Sequence, residues 1–136
     1  MRKAAVLVLP LLLGGCAVWG PEGGPSGTGQ AAPSAAASTA GEATAGTDGV
    51  QRITVTVDDQ LRFSPSVVRA RTGTIEFTIR NTGATPHTFG VLSERIDNVN
   101  GGDSRTLRVT VDRPGTYPFP CAYHVSSGMK GTLEVR

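Results

Sequence analysis

The chain has 136 residues, of which 38% are hydrophobic and 18% are charged, and its formal net charge is +2. This length allows one domain of ordinary size. The basic side chains stand singly and form no run or stripe, so we expect no nucleic-acid partner.

The first fifteen residues have the layout of an export signal. A basic start is followed by an apolar stretch at 4–13 that is too short to span a membrane. The sequence Leu-Gly-Gly-Cys at 13–16 resembles the lipobox of bacterial lipoproteins, which implies a signal peptide at 1–15 and a lipid on the Cys16 thiol. The alternative is an ordinary signal peptide with a coincidental cysteine. We expect an exported protein, lipid-anchored on the extracytoplasmic face of the cell envelope, at the cell membrane or in the periplasm.

The next segment is predicted to be a tether. Residues 17–49 are almost wholly Gly, Ala, Ser, Thr and Pro, and Trp19 is their only aromatic residue. Such a composition buries too little apolar area to offset the entropy of ordering. We therefore assign 16–49 to the lipidated cysteine and a flexible linker, with a root-mean-square span of about 30 Å, and 50–136 to the folded domain.

From residue 50 the hydrophobic residues recur with a period of two, which is typical of half-buried strands. This pattern predicts strands at 53–57, 61–63, 67–71, 74–80, 87–92, 107–111, 116–121 and 132–136. Pro118 and Pro120 lack backbone donors, so their strand should lie at a sheet edge or leave the ladder near its end. Seven or eight short strands with turn signals between them and no helical period predict a sandwich or a barrel.

Three candidate metal ligands, Cys121, His124 and Met129, lie within nine residues. Thiolate and thioether sulfur together with imidazole select copper, and a blue-copper site uses two histidines, one cysteine and a distant methionine. The second histidine could only be His87, because the chain has two. Taken singly, these residues are more often a hydrogen-bonded histidine, an inert thiol or a core methionine. In an exported chain, the two cysteines first suggest a Cys16–Cys121 disulfide. A lipid on Cys16 would leave Cys121 without a cysteine partner.

The domain resembles a small cupredoxin of the plastocyanin/pseudoazurin type over about residues 51–136. The resemblance rests on Pro65, Gly73, Phe77, Asn81, His87, Phe89, Pro114, Gly115, Tyr117, Cys121, His124, Gly128, Met129 and Gly131. It implies an all-β, cupredoxin-like Greek-key β-sandwich with one type 1 copper ion, whose ligands would be His87, Cys121, His124 and Met129. It also implies that the edge of the His124 ring lies at the surface, where redox partner proteins dock on an apolar patch. Candidates for that patch are Gly83, Ala84, Ala122, Val125 and the prolines.

Two positions depart from the family pattern. Many members carry Asn after the first histidine, and this chain carries Thr88, whose N–H could still reach the Cys121 sulfur and whose hydroxyl could partly replace the amide. Plastocyanin-like proteins carry an aromatic residue before the cysteine, and this chain has Pro120 there, with Tyr123 after the cysteine instead. We therefore expect no acidic remote docking patch, in keeping with 11 basic and 8 acidic residues in 50–136.

The leading interpretation is a membrane-tethered type 1 copper protein that shuttles single electrons between redox partners through Cu(I) and Cu(II). The alternative is a copper-binding module for trafficking, storage or sensing, and a third possibility is a structural domain without a working metal.

We do not expect an enzyme, because copper oxidases and nitrite reductases need further histidines for a second copper site. Binuclear cytochrome-oxidase-type sites need two cysteines in the loop. Nothing in the sequence indicates an oligomer, so we expect a monomer.

Overall fold

The computed structural model describes residues 39–136. The predicted signal peptide, Cys16 and the predicted tether up to residue 38 lie outside the described residues. Within residues 39–136 no helix is long and apolar enough to cross a membrane. The elements are β1 (Ala40–Glu42), β2 (Thr44–Ala45), β3 (Gln51–Val57), β4 (Phe63–Ser64), β5 (Val67–Ala70), β6 (Gly73–Asn81), β7 (His87–Val91), β8 (Glu94–Val99), β9 (Ser104–Val111), β10 (Gly115–Pro120), a 3-10 turn (Val125–Ser127) and β11 (Lys130–Val135).

The strands form two sheets and a separate hairpin. One sheet has the order β1-β5-β11-β10, and the other has the order β2-β3-β6-β9 with β4 beside β3. The hairpin consists of β7 and β8. Inward-facing side chains of these strands form one core, whose largest fully buried members include Phe77, Phe89, Phe119, Ile75, Ile79 and Leu133. The all-β fold predicted from the alternating pattern is confirmed, and the two sheets pack as a sandwich, the arrangement that the family resemblance implied.

The two ends of the sandwich carry different parts of the chain. Cys121, just after β10, has its sulfur 3.9 Å from the Nδ1 atom of His87, the first residue of β7. We call the end where these residues meet the site end. β10 begins at the opposite end with Gly115, and β11 finishes there beside Arg136. We call this the far end.

β10 lies at the edge of its sheet, as its two prolines predicted. The Cys121 N–H donates to the Met129 carbonyl at 3.1 Å, on the side of β11. Because backbone N–H directions alternate along a strand, the nitrogens of Pro118 and Pro120 face the other side, away from β11. The missing donors therefore fall on the unpaired edge and cost the ladder no hydrogen bond.

The start of the folded domain differs from the prediction. The sequence assigned residues up to 49 to the tether, but β1 and β2 occupy residues 40–45. The amides of Ser66 and Val67 donate to the Thr39 carbonyl at 2.9 and 3.0 Å, and Ala43 packs against the core. Backbone pairing holds this segment, which has no run of alternating apolar residues, so hydrophobic periodicity could not reveal it.

The alternating pattern also predicts no strand at β8, which pairs antiparallel with β7. Of its six residues only Val99 is fully buried and Ile96 partly buried, and the others are exposed. An edge strand with charged side chains turned to water lacks the alternation that marks a half-buried strand. This explains why the alternating pattern predicts no strand over residues 94–99.

Candidate metal centre

Three predicted ligands converge at the site end. The potential ligand atoms of His87, Cys121 and His124 all lie within 4.8 Å of one another. The Cys121 sulfur is 3.9 Å from Nδ1 of His87 and 3.5 Å from Nδ1 of His124. The two imidazole rings have centroids 5.1 Å apart and an interplanar angle of 63°. Two imidazole nitrogens thus face one sulfur from different directions, as ligands of a single ion would.

The loop that carries Cys121 is closed by its own backbone. The Cys121 N–H donates to the Met129 carbonyl, and the Met129 N–H donates to the His124 carbonyl, both at 3.1 Å. Gly128 takes a left-handed conformation with φ of 86°, which ends the 3-10 turn and which other residues adopt only with strain. The loop therefore returns Met129 to the level of Cys121, with the Met129 side chain fully buried.

Asn81 fixes the segment that leads into His87. Its side-chain amide donates to the carbonyls of Thr85, at 2.7 Å, and Val99, at 3.0 Å. Its carbonyl oxygen accepts from the Gly83 N–H at 2.9 Å. Asn81 is itself buried, so these bonds satisfy its polar atoms. They hold His87 at the start of β7, where the site needs it.

A second brace for this segment comes from Asp59, which the sequence analysis did not single out. One oxygen of its carboxylate accepts the backbone N–H groups of Ala84, at 2.9 Å, and Thr85, at 2.8 Å. These hydrogen bonds, the one from Thr85 first, hold the pKa of Asp59 below its usual value. No sequence signal connects residues 59 and 85, because the pairing depends on the fold.

Thr88 occupies the position where the family commonly has asparagine, and it contacts the sulfur as expected. Its backbone N–H donates to Cys121 Sγ at 3.4 Å, and its hydroxyl is 3.7 Å from the same atom. The hydroxyl oxygen also accepts the Ala122 N–H at 2.6 Å. Thr88 thus ties β7 to the cysteine loop and supplies two donors that would stabilise a thiolate.

The two histidines differ in exposure. His87 is fully buried, and burial lowers its pKa, with the neighbouring His124 acting in the same direction and the backbone of Asp58 opposing it. Its Nε2 atom is buried without a hydrogen-bond partner among the described residues. A lowered pKa keeps the imidazole neutral, which is the form that binds a metal. His124 is partly exposed.

The donors fit copper. The cluster offers one sulfur and two nitrogens and contains no carboxylate, which excludes it as a site for the hard cations Mg²⁺ and Ca²⁺. Cys121 is a free, fully buried thiol. With the Met129 thioether on the same loop, the arrangement of His87, Cys121, His124 and Met129 is suited to one type 1 copper ion.

The surface around His124 is apolar and exposed. Its neighbours Tyr123 and Val125 are 53% and 51% exposed. Ala84, Pro120 and Ala122 are exposed as well, and Gly83 is partly exposed. The Tyr123 hydroxyl donates to the Asp97 carbonyl at 3.1 Å, which holds its ring over the hairpin. We call Ala84, Pro120, Ala122, Tyr123 and Val125 the apolar face; Tyr123 was not among the residues predicted for it.

Comparison with known proteins agrees with this site. The family model for the cupredoxin-like domain matches residues 31–135, so the chain belongs to the cupredoxin-like family. Plastocyanin A/B of Petroselinum crispum is 34% identical over 89 residues, which are 57% of this chain and 91% of the plastocyanin.

Solved structures share the fold at lower identity. Dithionite-reduced auracyanin of Roseiflexus castenholzii has a TM-score of 0.57 and 22% identity, covering 62% of this chain and 96% of auracyanin. The metal-binding domain of a Cu(I)-exporting P-type ATPase from Streptococcus pneumoniae D39 has a TM-score of 0.57 and 16% identity, covering 73% and 97%. The cupredoxin-like fold expected from the sequence is confirmed.

Proposed function

We propose that the chain is a type 1 copper electron-transfer protein tethered to a membrane, with His87, Cys121, His124 and Met129 as the copper ligands. The observation that carries this proposal is the cluster of one buried sulfur and two imidazole nitrogens within 4.8 Å. The 34% identity to a plastocyanin supports it independently.

The bound copper would supply a one-electron couple between Cu(I) and Cu(II). The chain's part is to keep one donor set for both oxidation states. The closed loop from Cys121 to Met129 and the Asn81 bonds limit movement of that set. Thr88 donates to the sulfur and stabilises its thiolate form. Little needs to rearrange when an electron arrives, and small rearrangement favours fast transfer.

Electrons would enter and leave through His124. Of the two histidines it is the partly exposed one, while His87 is fully buried. The exposed side chains of Ala122, Tyr123 and Val125, which flank it in the chain, are uncharged. Such a surface suits short-lived docking of a redox partner protein, which must leave after each electron. We do not propose catalysis, since a second copper site would need more than the two histidines of this chain.

The tethering part of the proposal rests on the leader sequence, in which Cys16 follows Leu-Gly-Gly. A lipid on Cys16 would hold an exported domain at the cell envelope. Cys16→Ser should release the protein from the membrane fraction without changing its copper spectrum. A Cys16→Ser protein that stays in the membrane fraction would contradict lipid anchoring.

The electron-carrier role is tested by the visible spectrum of the chain without its leader, after Cu(II) is added under air. We expect an intense blue thiolate-to-copper band that ascorbate bleaches and ferricyanide restores. Cys121→Ser should lose the band. A colourless complex that binds only Cu(I) would contradict the carrier and favour the trafficking module, and the absence of copper binding would contradict both.

A further inference from the structure

The point at which the chain enters the folded domain has a functional consequence. β1 runs parallel to β5, and β5 runs parallel to β11. Ala40 pairs with Val67, and Val67 pairs with Thr132. Thr39 therefore lies at the level of Gly131, two residues beyond Met129 along the sheet. The chain enters the domain at the site end.

The separation can be estimated from sheet geometry. Two residues along a strand span ~7 Å, and β1 is two strands from β11, or ~10 Å. Thr39 and Met129 are thus on the order of 10 Å apart. The chain enters the domain close to the loop that carries His124. Without the extension at 39–49, the chain would enter the domain at Gln51, where β3 begins at the far end. At 3.3 Å per residue, β3 places Gln51 ~20 Å from the site end.

The extension is held firmly enough to fix this entry point. Besides the two bonds to the Thr39 carbonyl, the Ala43 N–H donates to the Arg69 carbonyl at 2.8 Å. Glu42 accepts from Arg136 at 3.1 Å. Gly41 fits closely, because a Cβ there would lie 2.7 Å from the Pro65 ring. The extension crosses between the two sheets and pairs with both, through β1 and β2.

We propose that this extension turns the site end of the anchored domain toward the membrane, so that the redox partner meeting the apolar face is a protein held in or on the same membrane. The inference rests on the proposed anchoring through Cys16. The predicted tether from 17 to 38 has a span of about 26 Å, comparable to the length of the sandwich. Leaving from the site end, it keeps that end nearer the bilayer on average than the far end.

The orientation can be tested with anchoring imposed, which separates it from the question of natural lipidation. The chain from Cys16 onward is coupled through that thiol to a maleimide lipid in nanodiscs that contain a gadolinium-chelating lipid. Cys121 is fully buried and protected. In the diamagnetic Cu(I) form, amide relaxation should be enhanced several-fold more at Gly83 and Val125 than at Gly73 and Gly115.

The matched control carries Cys16→Ser and a copy of residues 17–38 with a terminal cysteine after Arg136. Arg136 lies at the far end, where its carbonyl accepts from the Thr72 N–H at 3.1 Å. Both proteins contain the same domain, and only the attachment point differs. We expect the pattern of relaxation to reverse in the control. Equal relaxation at both ends, or the same pattern in both proteins, would overturn the orientation.

A second measurement tests the kind of partner. Reduced viologen linked to a lipid in the same bilayer gives one electron to the Cu(II) protein and becomes the viologen dication. The N-terminally tethered protein should be reduced several-fold faster than the C-terminally tethered control, while soluble reduced viologen should reduce both at the same rate. Equal rates with the lipid-linked donor would overturn the inference that the partner is held in the membrane.

Discussion

At the scale of single residues, the site depends on how one sulfur is surrounded. Thr88 places both its N–H and its hydroxyl on Cys121 Sγ, and the same hydroxyl oxygen accepts the Ala122 N–H. A threonine thereby ties the two segments of the site together, a task that family members commonly give to an asparagine. Thr88 acts on the Cys121 sulfur through hydrogen bonds and is not itself one of the predicted copper ligands.

Thr88→Val keeps the shape of the side chain and removes its hydroxyl. The thiolate loses a donor and becomes a stronger ligand for Cu(II), so the reduction potential should fall. The Ala122 N–H loses its partner, which should lower the free energy of unfolding by about 1–3 kcal/mol. Voltammetry and denaturant unfolding measure the two effects. Thr88→Ser retains the hydroxyl and should show neither, and a Val variant with an unchanged potential would contradict the hydroxyl's role.

Met129→Gln tests the axial ligand. An amide oxygen is harder than a thioether and favours Cu(II), so the protein should stay blue while its reduction potential falls. Met129→Leu, which has no donor atom, should move the potential in the opposite direction. Voltammetry measures the reduction potential of each variant, and visible spectra show whether the blue band is kept. If neither variant moved the potential, Met129 would not be a ligand.

The sequence alone could predict a candidate metal site here, because sulfur and imidazole groups within nine residues are unusual and their chemistry is specific. It could not identify Asp59 or the role of Tyr123. Both act through contacts between segments that are far apart in the chain, at 26 residues in each case. Such pairings leave no periodic signal in a single sequence.

At the scale of elements, the alternating strands were predictable and the polar or small-residue strands were not. From Ile75 in β6 and from Leu107 in β9, every second side chain turns to the core, so the period of two is plain. β1 and β2 consist of small or polar residues and are held by their backbones. β8 turns its charges to water. Regular alternation of buried and exposed side chains, which creates the pattern, is absent from all three of these strands.

The segment before β7 should be sensitive to acid through Asp59. The folded-state pKa of the Asp59 carboxyl lies below its unfolded value of 3.8. The carboxylate therefore contributes stability that is fully present above that value and is lost as the pH falls through the folded pKa. Asp59→Asn should lower stability at pH 7 and reduce the loss of stability below about pH 4.

Denaturant unfolding at a series of pH values measures this effect. Asp112→Asn is the matched control, since Asp112 is exposed and makes no hydrogen bond or ion pair with other residues of the described range. It should leave the acid profile unchanged. An Asp59→Asn protein with the profile of the parent chain would contradict a bracing role for this carboxylate.

At the scale of the whole molecule, copper bound by His87 and Cys121 would join two segments that the chain separates by 34 residues. A ligand that binds only the folded state raises stability by an amount set by its concentration, about 2.7 kcal/mol at one hundred times the dissociation constant. Thermal unfolding with copper and with a chelator should differ accordingly. Cys121→Ser should abolish the difference. Equal transitions for the parent chain would contradict copper binding to the folded domain.

The overall architecture followed from the strand pattern, but the end at which the chain enters did not. That end depends on the register of β1 against β5, in which Ala40 faces Val67. Parallel pairing of a short segment leaves no trace in hydrophobicity. A domain beginning at residue 51 would have placed the predicted tether at the far end, and the proposed anchoring would then turn the far end toward the membrane.

The two prolines of β10 have a further consequence. An exposed strand edge is a template on which a second chain can add its own strand, and crowding in a membrane plane raises the chance of such encounters. The backbone nitrogens of residues 116, 118 and 120 face outward from β10. Those of Pro118 and Pro120 carry no hydrogen, so an incoming strand would find only one of the three outward donors. Under the proposed anchoring, many copies could stand side by side without polymerising through this edge, and each would keep its copper loop free for exchange.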